Sequence, residues 1–520
     1  MNYYTINIPY SKKLFCTISL LILVNQIHAQ IPDIKYEIES QATITTDGAV
    51  PFWMRSNQYG SFPLSGGSGS LLGRAHLDYN EVSKFDSINL TRSFFDWGFG
   101  LEARANLGKK SNFNLIEAYG KFKAGIFQMK FGRSKEVMGI NGDTALSSGN
   151  FAVSGNALGI PKAEISIPNY YKIPLFNGLI SVKGNFAHGW IGKAEILDQV
   201  GDPKSELFNV LNKHPTTYYH QKSLYILFGK SDWKLKLQGG FNHQAYWGNE
   251  KAAYGSRFSL SPMETFLYVI TGKAYGEKSI PRSKIGNQIG SIDMAIDYRF
   301  NNLSIILYRQ NFYDTGALSK LANIKDGLNG IRIRNNKNIP KKSNFHWNTI
   351  LFEFLYTKDQ AGYPWSKPTN SGDEDYYNNY YYKKGWSYYG QGIGSPFITT
   401  KSESKKGQAS DSFDYFINNR VIAFHTGISA NIYNWEFQSK ISYSLNYGTF
   451  STSEFGKSTG PVVLPELNNN IFKPVNQLNV YFQGLKSVKN SYKIGLATAL
   501  DRGNLLNNSF GFQMKIIKVY

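Results

Sequence analysis

Between Asp373 and Phe397 the chain reads DEDYYNNYYYKKGWSYYGQGIGSPF. Tyr376, Tyr377, Tyr380, Tyr381, Tyr382, Trp386, Tyr388 and Tyr389 stand within it, and residues 376–390 contain no Leu, Ile, Val or Met. A buried core element mixes rings with aliphatic side chains. Rings set among Asn, Lys and Gly point instead to a surface that is sticky and wet at once. A second group, PFWMRSNQYGSFP from Pro51 to Pro63, holds Trp53, Arg55, Asn57, Gln58 and Tyr59. Ring faces offer apolar area to sugar C–H groups, while amides and guanidinium groups bond hydroxyls. Arg also pairs bidentately with carboxylates such as those of uronic acids. The candidate saccharide-contacting residues are therefore Trp53, Arg55, Asn57, Gln58, Tyr59, Arg133, Tyr377, Trp386, Tyr388 and Tyr389. For any one of these rings alone, a place in an interfacial girdle or a tyrosine-rich loop is the alternative.

Other chemistry finds little support. SEFGKST resembles the end of a phosphate loop, but Ser451 stands where its first glycine belongs and GPVVLPE follows where a helix would begin, so it reads as a loop. No G-x-S-x-G nucleophile elbow occurs. The eight histidines lack the paired spacing of a zinc site; His76, His243, His346 and His425 read as lumen or girdle residues. Asp373, Glu374 and Asp375 have calcium-ligand chemistry, with a solvated loop as the simpler reading. Basic residues are spread over many segments, which argues against a nucleic-acid interface. No catalytic group, metal site or cofactor is expected.

The elements that must position these residues are strands. In FDWGFGLEARANLG, Phe95, Trp97, Phe99, Leu101, Ala103 and Leu107 alternate with Asp96, Glu102, Arg104 and Asn106. WEFQSKISYSLNYG sets Trp435, Phe437, Ile441 and Tyr443 against Glu436, Gln438, Lys440 and Ser442. WKLKLQGGFN and SIDMAIDYRF repeat the pattern, with Lys234 and Lys236 on one polar face and Asp293 and Asp297 on the other. Period-two alternation gives strands with one apolar and one polar face. In a soluble sandwich the apolar face looks inward. In a membrane barrel it meets lipid and the charged face lines the lumen. Strands of membrane-crossing length, rings near strand ends and a mean hydropathy of −0.35 favour the barrel. The closing FGFQMKIIKVY puts Phe512, Met514, Ile516 and Tyr520 on one face, interrupted by Lys518. The fold class is thus all-β, a transmembrane antiparallel barrel. Two helices interrupt it, one after the Asp202 cap and one in SPMETFLYVITG. In the second, Ser261, Pro262 and Glu264 form a capping box and Met263, Phe266, Leu267 and Ile270 share a face. They lie in loops or pack in the barrel mouth and narrow it.

Lys12 and Lys13, the apolar run Leu14 to Val24 and NQIHAQ have the order of a secretory signal peptide with cleavage after Ala29. This divides the chain into a leader, 1–29, and one barrel domain, 30–520. The only cysteine, Cys16, is lost with the leader, which excludes disulfides from the mature chain. A net charge of +20 makes an acidic partner plausible.

The segments PFWMRSNQYG, GRSKEVMGINGDTALSSGNFAVSGNALGIPK, DGLNGI, EFLYTKDQAG, YYNNYYYKKGWSYYGQGIGSPF and NNRVIAFHTGI occur in this order. Together they resemble the capsule-assembly Wzi family in its Bacteroidetes-type form. The resemblance implies a monomeric outer-membrane β-barrel of about 18 strands. It also implies a lectin-like role in which exported capsular polysaccharide is held at the cell surface, with outer-membrane lipid around the wall. Two alternatives stand beside it. A diffusion porin needs a clear lumen; an enzyme acting on glycan or lipid needs converging acid, base or nucleophile groups.

Overall fold

The computed structural model describes residues 34–79, 94–109, 111–197, 212–277, 280, 282–314, 316–337, 344–363, 374–455, 470–489 and 491–520. The leader, the helix expected after Asp202, Asp373 and most of SEFGKST lie outside these residues.

Eighteen long strands form one closed antiparallel sheet. They are β1 (Lys35–Thr45), β2 (Ser68–Leu77), β3 (Phe95–Gly108), β4 (Asn112–Ala124), β5 (Phe127–Arg133) and β6 (Lys162–Lys172). Then come β7 (Ile180–Lys193), β8 (Thr216–Phe228), β9 (Leu235–Trp247), β10 (Asn287–Arg299), β11 (Leu303–Tyr313) and β12 (Gly327–Asn335). The last six are β13 (Phe345–Tyr356), β14 (Val421–Ile432), β15 (Trp435–Asn446), β16 (Val475–Ser487), β17 (Tyr492–Gly503) and β18 (Ser509–Val519). Each pairs with its neighbours in sequence. The barrel closes where β1 meets β18, from Glu37 opposite Val519 to Thr45 opposite Gly511. Closure leaves no unpaired edge, the condition for crossing lipid with strands.

The alternation read from the sequence sets the two faces. On β15, Phe437, Ile441 and Tyr443 are exposed on the outer wall, while Lys440, Ser442 and Ser444 are buried inside. On β3, Trp97 and Leu101 face out and Glu102, Arg104 and Asn106 face in. Lys518, the break in the closing strand, lies with its ammonium group 4.3 Å from the Tyr492 ring centre and 5.4 Å from that of Tyr520. It is a girdle lysine whose charge sits against rings at the rim.

The two ends differ. One carries both ends of the sheet and tight turns such as Tyr433–Asn434, whose φ values of 45° and 68° suit a two-residue hairpin. Exposed rings gather there, among them Phe95, Trp97, Phe127, Phe345, Tyr433 and Tyr520. Apart from 78–94, the long connections belong to the other end: 46–67, 134–161, 194–215, 248–286, 357–420 and 447–474. Outer-membrane barrels have short periplasmic turns and long outer loops, which makes the second end extracellular.

No helix among the described residues is long and apolar enough to cross a membrane. Helices α1 (Phe52–Arg55) and α2 (Glu250–Tyr254) are short, and α3 (Pro262–Thr271) has the expected capping box from Ser261 and Glu264. Its position decides between the two alternatives: it is a loop helix and does not narrow the mouth. Phe266 packs on His188, His220 and Trp247, with ring centres 5.8, 6.0 and 5.5 Å away, and these residues point outward from β7, β8 and β9. The helix therefore covers the outer wall at the extracellular rim. Its buried edge is Thr265 and Val269, leaving Met263 and Leu267 exposed.

The wall assignment also changes where a charge is tolerated. Ser442 lies under the plug described below, so it is no permissive lumen site; Gln438, half-buried on the same inner face nearer the periplasmic end, is. Ile441→Arg, near mid-strand on the lipid face, is expected to destabilise the barrel by about 2–4 kcal/mol. Gln438→Arg should cost far less. Heat-modifiable migration and urea unfolding in lipid vesicles read the difference, and equal costs would contradict the assigned faces.

Candidate functional site

The extracellular half of the lumen is filled by the chain itself. Segments 46–67, 134–161 and 374–420 turn inward, and wall side chains receive backbone N–H groups from the plug. Asp501 accepts from Phe52 (2.8 Å), Gln310 from Phe151 (2.8 Å), Glu353 from Ser148 (2.7 Å) and Asp293 from Ile140 (3.2 Å). The Tyr225 hydroxyl accepts from Gly139 at 2.8 Å. The plug interior is aromatic. Phe151 stacks on Phe312 with ring centres 4.0 Å apart and meets Tyr377 at 5.3 Å, while Tyr377 meets Phe416 at 5.3 Å. Trp386 packs on Tyr246 of β9 at 4.6 Å, and Trp53 packs on His425 of β14 at 4.9 Å. The ring cluster thus touches the wall at β9 and again at β14, five strands further round the barrel.

This places the sequence-derived candidates plainly. Trp386 is 0 % exposed and its indole N–H donates to the Ala152 carbonyl (2.8 Å). Tyr377 is 1 % exposed; its hydroxyl donates to the Phe151 carbonyl and accepts from Ser395 N–H (2.6 Å). Trp53 is 2 % exposed, donates to Ser442 Oγ (2.9 Å) and lies under Lys440. These three rings are plug core and offer no face to a ligand, which corrects the expectation of a wet platform throughout 376–390. The reason is that the aliphatic partners come from other segments: Leu158, Ile160, Leu355, Ile393 and Ile398 belong to the same buried cluster, so the stretch itself supplies only the rings. Gly394 and Gly385 permit the approach: a Cβ at Gly394 would lie 1.8 Å from the Phe151 carbonyl oxygen, and Gly385, at φ 51°, would set one 1.9 Å from that of Tyr377. Arg55 is also buried, in an ion pair with Glu403 (2.5 Å). Asn57 bonds across the plug to Asn156 and Ser148, and Tyr59 N–H to the Gly155 carbonyl. Gln58 is exposed.

Arg133, Tyr388 and Tyr389 do come together. Arg133 ends β5, and its guanidinium lies 5.9 and 5.8 Å from the two ring centres while donating to the Tyr388 hydroxyl (3.2 Å). Tyr389, at φ 49°, projects outward and is 72 % exposed. Both tyrosines line an extracellular cavity of about 490 Å³ with Lys193, Glu195, His214 and Lys384. A second cavity, of about 430 Å³, has Asp314, Asp375 and Asp414, the amides of Asn378 and Asn379, Lys284, and the rings of Tyr380 and Phe413. Burial, with Glu374 and Asp375 close by, pushes the Asp314 carboxyl well above the usual range. The two cavities are lined by different parts of the 376–390 stretch. Its inner side is dry and its outer side is pocketed.

Sequence reasoning missed Lys193, His214, Asp314 and Asp414, which no local pattern marks because the fold alone brings them to the stretch. Lys384 was legible beside Trp386. Glu374 turns out to be a clamp: its carboxylate accepts from the backbone N–H groups of Asp314 and Ala317, both at 2.8 Å.

Two arrangements resemble catalytic or metal chemistry and are accounted for otherwise. Ser442 and His425 are 2.7 Å apart, but both are buried beneath Trp53, and the other imidazole nitrogen meets the Leu146 carbonyl (2.6 Å). His76, Glu102 and Glu117 bring ligand atoms within 4.8 Å of one another. Glu102, however, already ion-pairs with Arg74 and Lys135, and Glu117 accepts from the Lys135 N–H.

A family model described as capsule assembly protein Wzi matches residues 36–424. The chain belongs to the Wzi family. Among solved structures it is similar to the Escherichia coli Wzi barrel, described as a carbohydrate-binding outer-membrane protein involved in group 1 capsule assembly. Identity is 12 %, covering 98 % of this chain and 89 % of that one, with a TM-score of 0.51. It also resembles Acinetobacter baumannii OccAB2 (10 % identity, 94 % and 98 % covered, TM-score 0.42) and Pseudomonas aeruginosa OccK5 (8 %, 94 % and 98 %, 0.43). No curated protein sequence matches it. Wzi-family membership and the closed sheet make this an outer-membrane barrel.

Two expectations follow from the plug. Trp386→Ala removes a fully buried ring and should destabilise the plug by about 3–5 kcal/mol. Limited proteolysis should then open 374–400 while the barrel stays folded; unchanged resistance would contradict the assignment. Glu136 ties segment 134–161 to the wall through Lys130 (3.2 Å) and Lys162. Burial alone would raise its carboxyl; the two ammonium groups outweigh burial and hold it below its ordinary 4.5. This tie is therefore fully present above that value and is lost as pH falls through the depressed one. Glu136→Gln, which strands a buried charge, should cost about 3–5 kcal/mol at neutral pH. Its deficit relative to the parent should shrink in acid unfolding; a deficit independent of pH would contradict the ion-pair account.

Proposed function

We propose that the protein holds exported capsular polysaccharide at the cell surface, on the extracellular face of its plug. The observation that carries this reading is the pairing of a filled lumen with ring-and-cation cavities opening outward, in a chain of a capsule-assembly family. A diffusion porin needs the space that Trp53, Tyr377 and Trp386 occupy. The role is binding, not catalysis, and the polymer is acidic: Lys193 and Lys384 line the cavity beside the exposed ring of Tyr389, which Arg133 backs, so one saccharide unit meets a ring face and cations together. The neighbouring carboxylates and amides suit hydroxyls of the next units. The chain acts as a monomer surrounded by outer-membrane lipid, after its leader is removed following Ala29.

The two kinds of contact separate by salt. Tyr389→Ala removes ring contact worth about 0.5–1.5 kcal/mol, so retention should weaken at low and high salt alike. Lys193→Ala with Lys384→Ala removes charges that salt screens over about 8 Å at physiological strength, so retention should weaken mainly at low salt. Cell-bound against released capsule, with surface labelling for barrel abundance, measures both. Normal retention in a Tyr389, Lys193 and Lys384 triple variant would overturn the proposed face.

A further inference from the structure

Below the plug, the inner wall of β10, β11 and β12 carries a cleft of about 370 Å³ lined by Asp297, Arg299, Ser304, Arg332, Arg334 and Asn336. The register builds it. Arg299 is opposite Ser304, which is opposite Arg334, so the two arginines share one rung of the ladder. Two strand spacings put their Cα atoms about 10 Å apart. One rung up, Asp297, Ile306 and Arg332 are aligned in the same way, with Lys236 opposite Asp297 on the other side. All of these residues face the lumen, because Met294, Ile296 and Tyr298 between them face out. The tight turn 300–302 puts the cleft at the periplasmic mouth.

Four cations therefore share this wall with one carboxylate. The guanidinium groups of Arg299 and Arg334 have no hydrogen bond or ion pair among the described residues. Arg332 instead reaches up to the plug, donating to the Asn141 carbonyl (2.7 Å) and lying 4.0 Å from Asp143. Arg299 and Arg334 are exposed to the periplasmic mouth, and two free guanidinium groups on one rung attract an anion into the space between them. Their planar forks match the oxygens of a carboxylate or phosphate. A conducting pore would use such a wall to steer anions through, but the plug closes the path above it.

We propose that this cleft is a periplasm-facing oxyanion site, filled by a carboxylate or phosphate group held between Arg299 and Arg334. Arg332 forms its roof and joins the bound anion to plug segment 134–161. The site is independent of the extracellular face, lies at the other end of the barrel, and is loaded from the periplasm.

The test is calorimetric titration of the detergent-purified full-length protein with inorganic phosphate, glucuronate and glucose. Phosphate and glucuronate should bind saturably and exclude each other, and glucose should not bind. Arg299→Gln with Arg334→Gln should weaken both anions at least tenfold. Lys401→Gln with Lys406→Gln, an equal charge loss on the extracellular side, should leave them unchanged. Tighter glucuronate supports a saccharide carboxylate as the ligand, and tighter phosphate a phosphorylated one. No saturable binding of either anion, or equal weakening by the lysine pair, overturns the site. Heat-modifiable migration establishes that each variant is folded. Should the double variant not fold, mutual exclusion of the two anions on the parent protein and the single Arg334→Gln change decide the question by the same criteria.

Discussion

A barrel of eighteen strands encloses more space than its own inward side chains fill, and those side chains are polar. Everything else in the structure answers that constraint. The wall presents Asp293, Gln310, Glu353 and Asp501 as acceptors, and the extracellular segments supply backbone N–H groups to meet them. Buried polar groups left unpaired would cost free energy on both sides, so wall and plug are each other's solvent. Once the rim is satisfied in this way, the plug centre is free to be aromatic and dry.

The same constraint gives residues 376–390 two characters. Tyr376, Tyr377, Tyr381, Tyr382 and Trp386 are turned inward and almost fully buried, with hydroxyl and indole groups of Tyr376, Tyr377 and Trp386 bonded across the plug. Tyr380 and Tyr389 are turned outward, beside carboxylates, amides and lysines. Tyrosine suits both roles because it joins a large apolar body to one polar tip. A leucine-rich segment would fill the lumen but would leave no adhesive surface above it.

The barrel was legible in the sequence because period-two alternation is local: Phe437, Gln438, Lys440 and Ile441 reveal their faces from neighbours alone. The site was legible only in part. The types of residue were right for rings beside cations, yet Trp53, Arg55, Tyr377 and Trp386 are core, Tyr388 is buried at the edge of a cavity with Arg133 against it, and only Tyr389 presents an exposed ring there. Periodicity carries no information about which loop residue turns in or out, since that is decided by partners such as Ala152, Phe151 and Ser442, remote in sequence. Helix α3 shows the same limit. Its cap was readable from Ser261 and Glu264, whereas its place on the outer wall depends on His188, His220 and Trp247 from three strands.

The central claim is that polymer is held on the outer surface of a sealed plug. Hydrogen–deuterium exchange of the reconstituted protein, with and without the polysaccharide exported by its own cells, tests this most directly. The account predicts added protection at 384–390, 193–195 and 376–380, with exchange along the inner wall of β15 unchanged. Protection confined to lumen strands, or none at the extracellular face at saturating polymer, would contradict it.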